Sequence, residues 1–168
     1  MLKPETIISA LGMKPLPREG GYFVETYRSQ ENLPGGAPPE GAGGPRSLAT
    51  AIYYLLTPDT FSAMHRLRSD EVYHFYLGGP VEMLNLHPGG DVRTITLGPD
   101  LAGGMKQQVV VPKGVWQGSR LVHGGRYALL GTTMAPGFDP QDYEHAKRED
   151  LIESFPEASD LITALTRE

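Results

Sequence analysis

From residue 47 onward, apolar and polar positions alternate in short runs separated by glycine and proline. The runs are SLATAIYYLL (47–56), EVYHFYL (71–77), VEMLNL (81–86), VRTITL (92–97), QQVVV (107–111), VWQGSRL (115–121) and YALLGTTM (127–134). A period of two with β-branched and aromatic residues predicts half-buried strands. The breaks GGP, HPGGD, GPDLAGG, PKG and HGG are turn chemistry, in which glycine supplies positive φ and proline presets the bend. Ahead of this array GYFVETYRS (21–29) predicts another strand. PETIISAL (4–11) predicts a short helix, with Pro4 in its first turn, Ile7, Ile8 and Leu11 on one face and Gly12 as its stop. The tail after Asp139 is acidic and helix-prone, with helices expected at 148–153 and 156–165. Strands so closely spaced, joined by such turns, indicate an antiparallel sandwich or barrel.

Composition narrows this further. The 168 residues suit one domain, 1–168, large enough to bury a core without a disulfide or a metal. The absence of cysteine excludes disulfides, thiolate metal sites and a cysteine nucleophile. A net charge of −5, with lysine and arginine scattered, argues against nucleic acid as a partner. The N-terminal stretch MLKPETIISALGMKP reads as neither a signal peptide nor a membrane span, so a cytoplasmic protein without membrane attachment is expected. Residues 31–47, ENLPGGAPPEGAGGPRS, hold five glycines and four prolines and read as a flexible surface loop.

The chemistry concentrates in MHRLRSDEVYHFYLG (64–78), a strand-like segment with two of the five histidines, Glu71 and three aromatics. Imidazole and carboxylate groups bind metals or move protons near neutral pH. Strand alternation puts Glu71, Tyr73 and Phe75 on one face and His74 on the other. His65 is either a base or ligand, or a histidine hydrogen-bonded in the interior. Glu71 is either part of a site or ion-paired with Arg66 or Arg68. His74 belongs to the outer sheet face or to a partner contact unless a bulge turns it inward. Gln108 reads first as a surface residue, and Trp116 as a core or interface anchor. His87, His123 and His145 read as solvent-exposed. The run Asp139, Asp142, Glu144 reads as a solvated segment, which folded over the interior would bring Tyr143 to it.

These residues resemble a known pattern. Cupins carry one motif of Gly, five residues, His-x-His, three or four residues, Glu, six residues, Gly. A second motif has Pro-x-Gly, two residues, then His. This chain has His65, Leu67, Glu71 and Gly78 at the first set of positions, and Pro112, Gly114 and Gln117 at the second. The blocks EGGYFVETYRS, HRLRSDEVYHFYLGGPVEML, LGPDL, VVVPKGVWQGSRL and APGFDPQDYE are similar to a small cupin branch sometimes labelled sugar-epimerase-like. The resemblance implies an all-β fold: a double-stranded β-helix, or jelly-roll barrel, of antiparallel strands with short N- and C-terminal helices. It also implies a ligand pocket inside the barrel and a homodimer. In metal-binding cupins the two histidines, the glutamate and the second-motif histidine hold a divalent ion. Here His65 and Glu71 remain, Leu67 cannot ligate, and Gln117 is a weak neutral ligand. At most a loosely bound divalent metal on His65, Glu71 and Gln117 is implied.

The leading functional expectation is a pocket for a small polar ligand, a sugar or nucleotide-sugar derivative, worked by an epimerase or isomerase. His65 is its base, and Glu71, Tyr76 and Tyr143 are further catalytic candidates. His74, Tyr73, Gln108, Trp116 and Gln117 are candidates for ligand contact. The alternatives are a non-catalytic binding or sensing module and a metal-dependent oxygenase or isomerase.

Overall fold

The computed structural model describes residues 2–34 and 43–167. Helix α1 (Pro4–Leu11) starts on Pro4 and stops at Gly12, whose φ of 64° lets its N–H bond back to the carbonyls of Ile8 and Ser9. The strands that follow are β1 (Lys14–Pro15), β2 (Tyr22–Arg28), β3 (Asn32–Leu33), β4 (Arg46–Ser47), β5 (Thr50–Leu56), β6 (Phe61–Arg66), β7 (Glu71–Gly78), β8 (Val81–Leu86), β9 (Val92–Leu97), β10 (Gln108–Val111), β11 (Trp116–Leu121), β12 (Ala128–Met134) and β13 (Glu144–His145). Helices α2 (Arg148–Ser154) and α3 (Ser159–Ala164), joined through a 3-10 turn at Pro156–Ala158, close the chain.

Two antiparallel sheets result, ordered β1-β2-β5-β12-β7-β10 and β13-β6-β11-β8-β9, with β3 and β4 as a separate hairpin. They face each other as the expected jelly roll, and among the described residues no ladder joins them into a closed barrel. Alternation sorts each strand: on β7, Glu71, Tyr73 and Phe75 are buried, whereas Val72 and His74 are half-buried on the other side. Tyr54, Leu56, Tyr73, Phe75, Val81, Met83, Val111, Leu121 and Leu130 fill the space between the sheets. Helix α1 covers the back of the six-stranded sheet through Ile7, against Leu55, Tyr127 and Leu129. Helices α2 and α3 cover the back of the five-stranded sheet, where Leu151, Phe155, Ile162 and Leu165 meet Met64, Leu84 and Leu86. Both sheets therefore turn an inner face toward the other, the back of the five-stranded sheet being covered by α2 and α3 and that of the six-stranded sheet only in part by α1.

Two expectations change here. The segment 64–78 is not one strand: β6 ends at Arg66, a turn follows, and β7 begins at Glu71 in the opposite sheet. FSAMHR lacks the β-branched residues that mark a strand, and its pairing with β11 supplies what propensity does not. Of the 31–47 loop, residues 35–42 lie outside the described residues. Its C-terminal end is not a surface loop, since Arg46 is buried and gripped by Asp142.

Candidate functional site

The two sheets deliver different parts of the interior site. On the inner face of the five-stranded sheet, Gln117 of β11 lies between His65 of β6 and Asn85 of β8 in one cross-strand row. Glu71 comes from β7 on the facing sheet. The Gln117 amide donates from Nε2 to Glu71 Oε2 at 2.9 Å and so bridges the sheets.

His65 is 1% exposed. Its Nδ1 lies 2.7 Å from the Ala63 carbonyl, which accepts only if Nδ1 carries the proton. That leaves Nε2 as the basic nitrogen, 3.9 Å from Glu19 Oε2. Glu19 is held in turn by the Ser62 hydroxyl, which donates to Oε1 at 2.9 Å. Glu19 was not singled out from sequence, although it opens the block EGGYFVETYRS. The signal was its two glycines: Gly20 and Gly21 take φ of 103° and 73°, and a Cβ on Gly20 would run into the Phe61 carbonyl. Arg18, just before, adopts φ 66° without being glycine. This strained turn presses Glu19 against β6.

The run Asp139, Asp142, Glu144 divides: Glu144 is exposed, while Asp142 is buried and Tyr143 folds onto the interior, the alternative reading. Asp142 is 4% exposed and holds Arg46 in a two-point ion pair, Nε to Oδ2 at 2.9 Å and Nη2 to Oδ1 at 3.0 Å. Strand β13 then pairs with β6, placing His145 opposite His65. Tyr143 stacks on the His65 ring, centroids 5.1 Å apart and planes 18° off parallel. Its hydroxyl is hydrogen-bonded with His145 Nδ1 at 3.0 Å, while Arg18 lies 5.2 Å above its ring. His145 is thus partly enclosed rather than exposed. Burial, then the charges of Arg18 and Arg167, lower its pKa.

Burial raises the pKa of Glu71, and the Glu19 charge adds to it; His65, Thr132 and Gln117 act against the rise without cancelling it. Burial likewise pushes Tyr73 and Tyr54 well up and Tyr143 up, so these phenols hold their protons.

A small cavity of about 70 Å³ lies beside Glu19, Glu71, Tyr54, Tyr73 and Thr132, walled by Phe23, Met134 and Phe138. Leu67 lines it and also lines an open cleft of about 610 Å³ bounded by Arg66, Arg68, Lys113 and Tyr143. Leu67 is therefore the wall between them.

Other candidates lie elsewhere. His74 is on the outer face of the six-stranded sheet, bonded to Thr133 and Gln108. Tyr76, 49% exposed, stacks beside it and lies across Gly131, where any Cβ would strike its ring. Gln108 is exposed there too. Trp116 faces the helices behind the five-stranded sheet, with Arg66 4.5 Å over its ring. His74, Tyr76, Gln108 and Trp116 are thus separated from His65 and Glu71 by a sheet, and alternation is the reason. Of the remaining histidines, His123 is exposed and His87 half-buried.

Comparison with known proteins decides the lineage. Residues 5–146 match the family described as Cupin superfamily (DUF985). The chain belongs to this cupin family. An uncharacterised protein of Saccharomyces cerevisiae, YML079W, is 34% identical over 143 residues, 80% of this chain and 71% of the yeast protein. The structure of protein SO0799 from Shewanella oneidensis matches with a TM-score of 0.87 at 31% identity, over 99% of both chains. A hypothetical protein from Leishmania major gives 0.88 at 29% identity, over 99% of this chain and 100% of that one. Oxalate decarboxylase from Bacillus subtilis matches at 0.56 with 13% identity, covering 93% of this chain and 38% of the decarboxylase, and shares the fold alone.

The divalent ion of metal-binding cupins does not fit the residues of this cupin. Leu67 has no donor atom, and Gln117 turns its N–H₂ toward Glu71. Among the described residues, no three His, Asp or Glu side chains come together closely enough to hold an ion.

Proposed function

We propose that this cupin binds a small polar ligand in the cleft and interior cavity and acts on it as an acid–base isomerase with His65 as the base. The observation carrying this reading is the His65 tautomer: Nδ1–H is spent on Ala63, and Nε2 is free to take a proton with the Glu19 carboxylate 3.9 Å away to stabilise the imidazolium. Next to a carbonyl, Nε2 removes a C–H proton and the electron pair moves to the carbonyl oxygen. A phenol then returns a proton to carbon from the other side. Tyr143 lies parallel to the His65 ring, so it belongs to the same side. Tyr73, on the inner face of the opposite sheet and kept protonated by burial, is the better placed donor, and Glu71 beside it is a source for its reprotonation. Tyr76, on the outer face, has no part in this scheme.

The cleft volume is in the usual range for ligand sites of roughly 300–1,000 Å³. In this reading a sugar-sized ligand resting there displaces Leu67 to reach His65, and Lys113, beside the Arg66–Glu144 ion pair, suits an anionic tail such as a nucleotide phosphate. The test is turnover of keto-sugars and their nucleotide derivatives, read by exchange of the α-proton with deuterium. His65→Ala is expected to lower exchange by about 10²–10⁴-fold, the range for removing a positioned base. Unchanged exchange would sink the reading. A binding-only role is favoured by the small inner cavity closed by Leu67, and thermal stabilisation without exchange would select it.

A further inference from the structure

Three side-chain oxygens of the five-stranded sheet are buried without any hydrogen-bond partner: Asn85 Oδ1, Gln117 Oε1 and Ser119 Oγ. Their residues are 2%, 2% and 1% exposed. They are neighbours. Gln117 sits directly opposite Asn85 across the β11–β8 ladder, and Ser119 is two residues farther along the same face of β11. That face is the inner one, because Met83 and Leu121, in the same alternation, pack between the sheets, whereas Leu84 and Leu86 pack under the helices. A single unpaired buried polar atom costs stability, and three side by side on one face need a common partner.

We propose that these atoms, with the Glu71 carboxylate, form a subsite for an ammonium head group of the ligand. The proposal rests on the reading of the interior as a ligand site and narrows its substrate class to amines and amino sugars. The chemistry of the oxygens selects the guest. Gln117 commits its N–H₂ to Glu71, so its free atom Oε1 accepts only. Asn85 Oδ1 accepts only as well, and Ser119 Oγ can accept. Unpaired acceptors on one inner face require donors, and an ammonium group brings three N–H donors and no acceptor.

The charges agree. The cavity beside Glu71 is lined by the carboxyl groups of Glu19 and Glu71, while that of Glu25 at its margin is held by Arg28. The next residue in the Gln117–Asn85 row, Arg93, is exposed and paired with Asp91. An anion entering here would meet carboxylates and amide oxygens, and an ammonium group would meet partners only. A bound cation would also relieve the pressure on Glu71, whose ionisation burial and Glu19 oppose. Lys113 and the Arg66–Glu144 ion pair lie beyond Leu67, in the outer cleft. The ligand that fits both ends carries its amine inward and its anionic group outward.

The protein, labelled with nitrogen-15, tests this through the side-chain amide resonances of Asn85 and Gln117. It is titrated at constant ionic strength with ethylammonium chloride, ethylene glycol or potassium acetate. Saturable shifts with ethylammonium alone are expected. Asn85→Leu and Ser119→Ala should each raise the ethylammonium dissociation constant at least tenfold, read at the Gln117 amide. Each should also raise the melting temperature of the ligand-free protein, because an orphaned polar atom is removed. Saturation by ethylene glycol or acetate without ethylammonium overturns the ammonium assignment and leaves the interior as a ligand site. Saturation by none of the three overturns both. Equal affinity for ethylammonium in the wild type and both variants overturns the placement of the subsite.

Discussion

The Glu71 carboxyl group is almost wholly enclosed, with one neutral amide donor and a second carboxylate nearby. Its folded-state pKa is raised above that of the unfolded chain, chiefly by burial. Between those two values the folded state binds more protons than the unfolded one, so stability falls as pH rises through that window. Glu71→Gln removes this dependence. Its melting curve should coincide with that of the wild type below the ordinary carboxylate range and lie above it at higher pH. A wild type whose stability instead climbs through that window would show Glu71 to be favoured in its charged form. The same carboxyl group, protonated, can donate a hydrogen bond within the interior, which an ionised glutamate cannot.

At the scale of elements, the strap from Pro136 to His145 is held by ion pairs of unequal value. The Arg46–Asp142 pair is buried on both sides and bidentate, whereas Arg66–Glu144 is 40% and 54% exposed. Breaking the first by Arg46→Ala or Asp142→Ala should cost about 3–5 kcal/mol in urea unfolding, because the remaining charge is left buried. Breaking the second by Glu144→Ala should cost about 1 kcal/mol or less. Replacing both partners of the buried pair, as in Arg46→Met with Asp142→Leu, should recover most of the loss. The strap carries Tyr143 onto His65, so the single variants should also weaken binding of any ligand that contacts both rings.

For the whole molecule, the outer face of the six-stranded sheet is the surface that calls for a partner. Tyr27, Tyr76, Leu77 and Val110 are exposed there or at its margins, and β2 is covered on its free edge only by the two residues of β1. Exposed apolar side chains and an open strand edge favour a two-fold companion. We expect a homodimer, with a light-scattering mass twice the 18.3 kDa of one chain at micromolar concentration. Tyr76→Glu should shift it toward monomer while leaving the interior untouched. No described helix is long and apolar enough to cross a membrane.

The local pattern of the chain carried much of this. Helix α1 was legible to the residue because Pro4 and Gly12 punctuate it, and eight of the main strands were legible from alternation and turn chemistry. Alternation alone also separated His74 from Glu71, Tyr73 and Phe75. Other features depend on residues far apart in sequence. Strand β6 is made by its partners rather than by its own propensities. Glu19 reaches His65 across 46 positions, and Asp142 reaches Arg46 across 96. The orphaned row of Gln117 and Asn85 exists only because β11 and β8 pair in that register. The segment 64–78 illustrates the division. Its sequence identified the family, because the spacing of residues along the chain is a local property. Only the tertiary structure revealed that His65 and Glu71 face each other from opposite sheets, with Leu67 between cavity and cleft, because sheet packing is not written in any one stretch of chain.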